Sequence, residues 1–253
     1  MKDVLVNFWG GLLSGLILLG IPSVIALIKR TKAKRVVGKN KPNNYESLGL
    51  IGVYRNRDEA FEDFHKHVGD EPESISIVAL CLDGLPARNR SVVDGWIKSA
   101  SNVSILLTHP KSADLFWNPP TAPHHYARRV IGSLERLCAL GVDCKDVKLY
   151  SGTPSLFGIK TEKYMLINPY PYVGQAHDAP CFIVEHLEEH GRTALYDAYD
   201  TKHFDVFDNE GKCSLTHSIT PTRVGENSHD TFRYEIEKLK AMYPDLFPQA
   251  VAT

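Results

Sequence analysis

A histidine and a lysine two residues apart are the first candidates for chemistry in this chain. His109 and Lys111 directly follow the predicted strand Val103–Thr108. An imidazole can act as a nucleophile or carry a proton near neutral pH, and a lysine ammonium can neutralise phosphate oxygens. Residues that follow a strand at its carboxyl end often form the functional site of an α/β fold. The pair is therefore a candidate catalytic site, although a turn in which His-Pro ends the strand explains the same residues.

A second lysine lies in a window that resembles the signature of the phospholipase D superfamily. That signature is H-x-K-x4-D, and the matching window runs from Thr161 through Lys163 to Asn168. The lysine is at the expected spacing, whereas threonine replaces the histidine and asparagine replaces the aspartate. The resemblance covers about residues 50–210 and implies a single phospholipase D-like α/β sandwich, with Lys163 on a strand before a G-x-A turn. In that superfamily the histidine attacks phosphorus, and the lysine neutralises phosphate oxygens.

The two replacements change the chemistry that the resemblance implies. A threonine hydroxyl with no base beside it is a far weaker nucleophile than an imidazole at pH 7. We therefore expect no catalytic residue in this window and predict an inactive phosphate pocket. Its lining would be Lys163, Asn168, Thr161, Arg55 and His109. The alternative for Lys163 is an exposed residue at the start of a strand.

Arg55 enters this prediction because it opens the stretch Arg55-Asn56-Arg57-Asp58, between a predicted strand and a predicted helix. Backbone amides and two guanidiniums at such a position could bind an anion. A solvated turn in which Asp58 caps the helix is the alternative.

The sequence predicts neither a metal site nor a cofactor. His186 and His190 have the i, i+4 spacing of a helical zinc site, but the apolar run before them and Gly191 after them favour a strand end and a loop. The cysteine count is odd and no C-x-x-C occurs, which indicates reduced thiols rather than disulfides. The five cysteines are Cys81, Cys138, Cys144, Cys181 and Cys213.

Hydrophobic patterning predicts alternating strands and helices. A helix opened by Asp58 has apolar residues at helical spacing up to Val68, and a longer helix runs from about His124 to Leu140 before Gly141. The strands between residues 145 and 186 have short connections, so the sheet should be mixed. The other predicted strands span 50–54, 74–82, 103–108, 142–150, 156–160, 163–168 and 181–185, and the other helices span 91–101, 193–207 and 227–242.

The beginning of the chain has the composition of a membrane anchor. Val4 to Ile28 carries no charge, and a helix of that length reaches about 37 Å, enough to cross a bilayer core of about 30 Å. Five cations lie between Lys29 and Arg35, which places the N-terminus outside and the rest of the chain in the cytoplasm, at the inner membrane. A cleavable signal peptide would carry its charge in front, and a core helix is rarely apolar all round. The predicted division is 1–35 anchor and basic collar, 36–49 linker and 50–253 cytoplasmic domain.

Charge and glycine spacing indicate which partners to expect. The chain has 29 Lys and Arg against 30 Asp and Glu, and residues 1–41 hold eight of the cations and one acid. The remainder has a net charge of −8, so non-specific nucleic-acid binding is not expected. The basic collar suits anionic lipid, and Gly11-x3-Gly15 could pack two anchors together. Because the superfamily pairs two halves across a cleft, the resemblance implies a homodimer or a hetero-complex.

Three functions are consistent with these observations. The first is a catalytically inactive phospholipase D-like sensor, adaptor or effector subunit of a prokaryotic signalling or defence system, with a phosphate-containing ligand. The second is a membrane-tethered phosphodiesterase or nuclease that uses His109 and Lys111, in which case His109 should approach Lys163. The third is a plain protein-interaction module at the membrane.

Overall fold

The fold is built on one eight-stranded mixed sheet, seen in a computed structural model that describes residues 48–117, 122–152, 155–170, 178–187, 195–205, 216–218 and 228–248. The strands are β1 Leu50–Tyr54, β2 Ser74–Ala79, β3 Asn102–Thr108, β4 Val147–Tyr150, β5 Leu156–Lys160, β6 Tyr164–Pro169, β7 Cys181–Glu185 and β8 Thr216–Ser218. The helices are α1 Arg57–Val68, α2 Ala87–Ser99, α3 Pro110–Trp117, α4 His125–Ala139, α5 Leu195–Tyr199 and α6 Ser228–Ala241. A 3-10 turn, Cys144–Asp146, precedes β4, and a π-helical turn, Asp200–Phe204, continues α5.

The strand order is β1-β7-β6-β5-β2-β3-β4-β8. β3 is parallel to both of its neighbours, β2 and β4, and the other strand pairs are antiparallel. The α/β class and the mixed sheet predicted from the sequence are confirmed. The antiparallel part arises where β5, β6 and β7 follow each other with short connections, because a short turn can join only antiparallel strands.

The two faces of the sheet are covered differently. The four-helix face, which carries Ile77, Ile105 and Phe157, packs against α1, α2, α4 and α6. The opposite face carries Val78, Leu106, Leu156, Met165, Ile167 and Val184, and it packs against Tyr196 and Phe204 of α5 and the π-helical turn. Side chains alternate between faces along each strand, which assigns every residue of β2, β3 and β5 to one face.

Capping residues explain where the helices begin and end. The Asn56 side chain accepts a hydrogen bond from the Glu59 amide at 2.9 Å, so Asn56 caps α1, and the predicted cap at Asp58 is wrong. Gly69 and Gly141 follow α1 and α4 with φ of 77° and 84°, a conformation that glycine adopts without strain.

Two helices differ from the sequence prediction. α2 begins at Ala87 rather than at residue 91. The predicted start is too late because the first turn of the helix is polar and carries no apolar periodicity. The start of α3 was expected to be a turn in which His-Pro ends the strand. Pro110 instead occupies the first helical position, where its missing N–H leaves no partner unsatisfied.

The predicted membrane anchor lies outside the described residues. The chain divides into two compact units, 1–42 and 43–253, and only the second contains described residues. Within the described part, no helix is both long enough and apolar enough to cross a bilayer.

A glycine in β5 allows the π-helical turn to approach the sheet. A Cβ placed on Gly158 would lie 2.8 Å from Cζ of Phe204 and 3.0 Å from Cδ1 of Leu156. Lys160 on the same face of β5 bonds Asp200 at 2.5 Å, which holds the start of the turn. The absence of a side chain at position 158 therefore sets how closely Phe204 packs on the opposite face.

We predict that Gly158→Ala lowers the free energy of unfolding by about 1–3 kcal/mol, because the new methyl group forces the Phe204 ring away from the sheet. Urea denaturation of the full chain measures the change. Gly95→Ala is the matched control, since a Cβ at Gly95 in α2 meets nothing within 4 Å. The control should stabilise the chain by up to about 1 kcal/mol. Equal effects of the two substitutions would contradict the packing argument.

Candidate functional site

Thr161 and Lys163 lie in the turn between β5 and β6. The Thr161 amide donates to the Tyr164 carbonyl at 2.8 Å, and the Thr161 Oγ1 accepts from the Tyr164 amide at 3.1 Å. The Thr161 carbonyl accepts from the Tyr196 hydroxyl at 2.5 Å, so this buried threonine is held by the fold. Lys163 is exposed and precedes β6, so its predicted position on a strand is wrong.

Asn168 lies at the other end of β6. It pairs with Phe157 across the hairpin, and the five steps along the chain from Lys163 to Asn168 span roughly 16 Å of extended chain. Asn168 is fully buried, and its Nδ2 donates to the Ala179 carbonyl at 3.2 Å and the Pro180 carbonyl at 3.3 Å. The structure therefore separates the two ends of the signature window.

The buried partner of Asn168 is Arg57, which the sequence analysis did not assign to the site. Arg57 donates from Nε at 2.8 Å and from Nη2 at 2.7 Å to the Asn168 Oδ1, and its guanidinium lies 4.2 Å from the centroid of the Phe157 ring. Arg57 is only 4% exposed. Burial lowers the pKa of Arg57, and the nearby Tyr170 partly opposes that shift.

The predicted residue Arg55 has a different environment. Its side chain is 83% exposed and pairs with Glu59 at 2.8 Å, one helical turn away. Arg55 lies before the N-cap Asn56 and is exposed, whereas Arg57 is the first residue of α1 and is buried. Sequence alone gave no signal to distinguish them.

Arg57 has a tyrosine hydroxyl and two cysteine thiols around it, and the charge of Asp58 also acts on it. Burial raises the pKa of the Tyr170 hydroxyl to about 12, and that hydroxyl accepts the Leu80 amide at 2.9 Å. Burial also raises the pKa of the Cys81 and Cys181 thiols, in the latter case to about 12. A thiol must ionise to act as a nucleophile, so neither cysteine suits covalent chemistry. Cys81, Cys138 and Cys181 carry free thiols.

His109 and Lys111 lie at the carboxyl end of β3. The His109 amide donates to the Tyr150 carbonyl at 2.8 Å, and the His109 Nδ1 accepts from the Lys111 amide at 3.2 Å. The His109 carbonyl also accepts from the amides of Ser112 and Ala113 in the first turn of α3. Lys111 is exposed. His109 thus has the geometry of a helix start.

His109 and Lys163 lie at opposite edges of the sheet. β3 runs parallel to β2, and β5 runs antiparallel to it, with Lys160 paired to Ser76 near the start of β2. The β5–β6 turn is therefore at the amino edge of β2, whereas His109 is at the carboxyl edge of β3. The structure does not bring the five predicted ligand-binding residues to one pocket.

The zinc alternative receives no support from the described residues. Among them, no three His, Cys, Asp or Glu side chains are grouped to hold a metal ion. His186 lies 3.5 Å from Asp197 and packs against the Tyr196 ring, while His190 lies outside the described residues.

A cavity of about 220 Å³ lies at the carboxyl ends of β2 and β3. Its apolar residues on the opposite face include Val78, Leu106 and Leu156. Its remaining lining comprises Ala79, Leu107, Thr108, Tyr150, Ser155, Lys202 and His203. Polar and apolar groups therefore converge here, and the sequence analysis did not identify this site.

His203 and Lys202 come from the π-helical turn above the cavity. His203 is half-buried and stacks on Tyr199 with ring centroids 5.4 Å apart, whereas Lys202 is exposed. Burial, followed by the neighbouring charge of Lys202, lowers the pKa of His203. The imidazole is therefore neutral at pH 7 and can donate one hydrogen bond and accept another. π-helical turns are rare and frequently occur at functional sites, a signal that appears only in the structure.

Comparisons with known proteins identify no family for this chain. No protein family model matches the sequence, and neither does any curated protein. Among solved structures, phosphatidylserine synthase from Haemophilus influenzae Rd KW20 is similar at a TM-score of 0.44 and 9% identity, over 76% of this chain. The chain spans 43% of the length of that enzyme. TrmBL2, an archaeal chromatin protein described as having a novel mode of DNA binding, is similar at a TM-score of 0.36 and 9% identity, over 81% of this chain and 67% of that protein.

We predict that Asn168→Ala lowers the free energy of unfolding by about 2–4 kcal/mol, because the substitution leaves a buried guanidinium without its acceptor. Urea denaturation provides the measurement. Asn102→Ala, at an exposed position at the start of β3, is the matched control and should change the stability by less than about 0.5 kcal/mol. A small effect at position 168 would show that Arg57 finds another acceptor.

We also predict that His203 makes the fold less stable in acid. Its pKa is lowered in the folded chain, so below pH 6.5 the unfolded chain takes up the proton more readily and stability falls. Melting temperatures at pH 7.5 and 5.5 should therefore differ less in His203→Gln than in the wild-type chain. His125→Gln, on the exposed side of α4, is the control. An unchanged pH dependence in His203→Gln would contradict the prediction.

Proposed function

We propose that this chain is a membrane-anchored, catalytically inactive phospholipase D-like protein that acts as a sensor, adaptor or effector subunit in a prokaryotic signalling or defence system. The observation that carries the proposal is the separation of Thr161 and Lys163 from Asn168 along β6. The two buried residues of the window, Thr161 and Asn168, already have hydrogen-bond partners within the fold. The signature window thus supplies a structural hairpin.

Phosphoryl transfer requires groups that converge on one phosphorus atom. A nucleophile, a proton carrier and a cation must be held within a few ångströms of the reacting atoms. The Thr161 hydroxyl is not free, since Oγ1 is bonded to the Tyr164 backbone. His109 and Lys163 lie at opposite edges of the sheet. This arrangement favours an inactive domain over the tethered phosphodiesterase or nuclease.

The membrane part of the proposal is based on the sequence. Val4 to Ile28 is long and apolar enough to span the inner membrane, and the cations from Lys29 to Arg35 favour a cytoplasmic domain. The acidic remainder of the chain disfavours non-specific binding to nucleic acid. Gly11-x3-Gly15 supports a homodimer or a hetero-complex through the anchor.

We predict that the full chain, purified in detergent, hydrolyses bis(p-nitrophenyl) phosphate no faster than the blank. The physical reason is that the Thr161 hydroxyl is bonded to the Tyr164 backbone and that His109 lies at the end of the sheet opposite Lys163. His109→Ala and Lys163→Ala should leave that background unchanged. Release of p-nitrophenol at 405 nm is the measurement. Turnover by the wild-type chain that His109→Ala abolishes would overturn the proposal in favour of a phosphodiesterase.

A further inference from the structure

The cavity on the opposite face contains a buried hydroxyl without a partner. Thr108, the last residue of β3, is 1% exposed, and within the described structure its Oγ1 makes no hydrogen bond. Thr108 alternates with Leu107, so it lies on the same face as Leu106 and lines the cavity beside it. A buried hydroxyl that leaves water without a replacement bond destabilises the fold. A bound polar group would satisfy it.

The apolar part of the cavity can accept a ring. Val78, Leu106 and Leu156 come from three adjacent strands and form a continuous apolar surface. The volume of about 220 Å³ corresponds to roughly seven molecules of liquid water, which is enough for one ring with a substituent.

Among the described residues that line the cavity, the rim carries one cation and one neutral imidazole. Lys202 is exposed and lines the cavity, so its ammonium can meet an anionic group in solvent. His203 can donate or accept at the ring edge. The nearby Lys160 differs from Lys202 because it is paired with Asp200 at 2.5 Å. The charge that the cavity presents to a ligand at this rim is therefore positive.

We propose that this cavity is the ligand site of the protein and that it binds a small molecule with one flat ring and one phosphate or carboxylate group. The ring lies on Val78, Leu106 and Leu156, a polar ring atom bonds the Thr108 hydroxyl, and the anion pairs with Lys202. The inference rests on the sensor role in the proposed function and places its ligand site away from Lys163.

The experiment measures binding to the full chain in detergent by saturation-transfer NMR. Phenyl phosphate and benzoate are the probes, with phenol as the neutral ring. Inorganic phosphate has no carbon-bound proton to observe, so it is added as a competitor against phenyl phosphate and serves as the anion without a ring. Both ring anions should bind the wild-type chain in the millimolar range or tighter, and more tightly than phenol or phosphate. Lys202→Gln should weaken the ring anions roughly fivefold and leave phenol unchanged.

Thr108→Val separates a binding role from a structural one. The substitution keeps the shape and removes the unpartnered hydroxyl, so the unliganded chain should melt at a higher temperature. The same variant should bind the ring anions roughly tenfold more weakly. Higher stability with weaker binding is the expected signature of a ligand site.

Thr231→Val is the matched control. Thr231 in α6 is also 1% exposed with an unpartnered Oγ1, but α6 packs on the four-helix face, away from the cavity. This variant should bind the probes like the wild-type chain. The inference is overturned if neither ring anion binds the wild-type chain, or if Thr108→Val and Thr231→Val affect binding equally.

Failure of this inference is distinct from failure of the proposed function. Turnover of the phosphodiester substrate overturns the inactive role, whatever the probes do. Absence of turnover together with absence of probe binding leaves the inactive fold, overturns the ligand site and favours the plain interaction module at the membrane.

Discussion

The buried guanidinium of Arg57 is the interaction on which the carboxyl edge of the sheet depends. A charge taken out of water destabilises the fold by several kcal/mol unless polar groups replace its hydration. Asn168 supplies one oxygen to two N–H donors of Arg57, and the Phe157 ring covers the guanidinium plane. The start of α1, the start of β5 and the end of β6 are thereby held together. The Asn168 side-chain amide therefore has a structural role, although its position matches the aspartate of the phospholipase D signature.

The two faces of the sheet have different roles in this fold. On the four-helix face, helices close over the sheet and the buried Arg57 is bonded to Asn168. On the opposite face, the described cover beside β2 and β5 is α5 with its π-helical turn, held through Phe204 against Gly158 and through Asp200 against Lys160. Those contacts fix the turn above the middle of β5 and leave the carboxyl ends of β2 and β3 beside a cavity.

The spacing of apolar residues along the chain predicts the helices and strands that have a regular apolar pattern of their own. α4 has apolar residues at helical spacing and a glycine after its last turn, so its bounds were predicted within about one residue. β2 is a short apolar run that is buried on both sides, and it was also predicted. The sequence does not predict α3, because a proline directly after a strand indicates the end of that strand. Proline is also common at the first position of a helix, which is the role of Pro110 here. The membrane anchor and its orientation stay a prediction.

The candidate site could not be predicted from the sequence, because its properties are relations between distant residues. Arg57 and Asn168 are 111 positions apart, and no local pattern distinguishes Arg57 from Arg55. Thr108 looks like any threonine that ends a strand, and its distinguishing feature within the described structure is a missing hydrogen bond. A signature directs attention to residue types that could react, whereas an unsatisfied buried group indicates where the fold has unused bonding capacity. In this chain the two criteria select different residues of the same sheet, and the physical cost of an unsatisfied hydroxyl makes the second the stronger reason to look for a ligand.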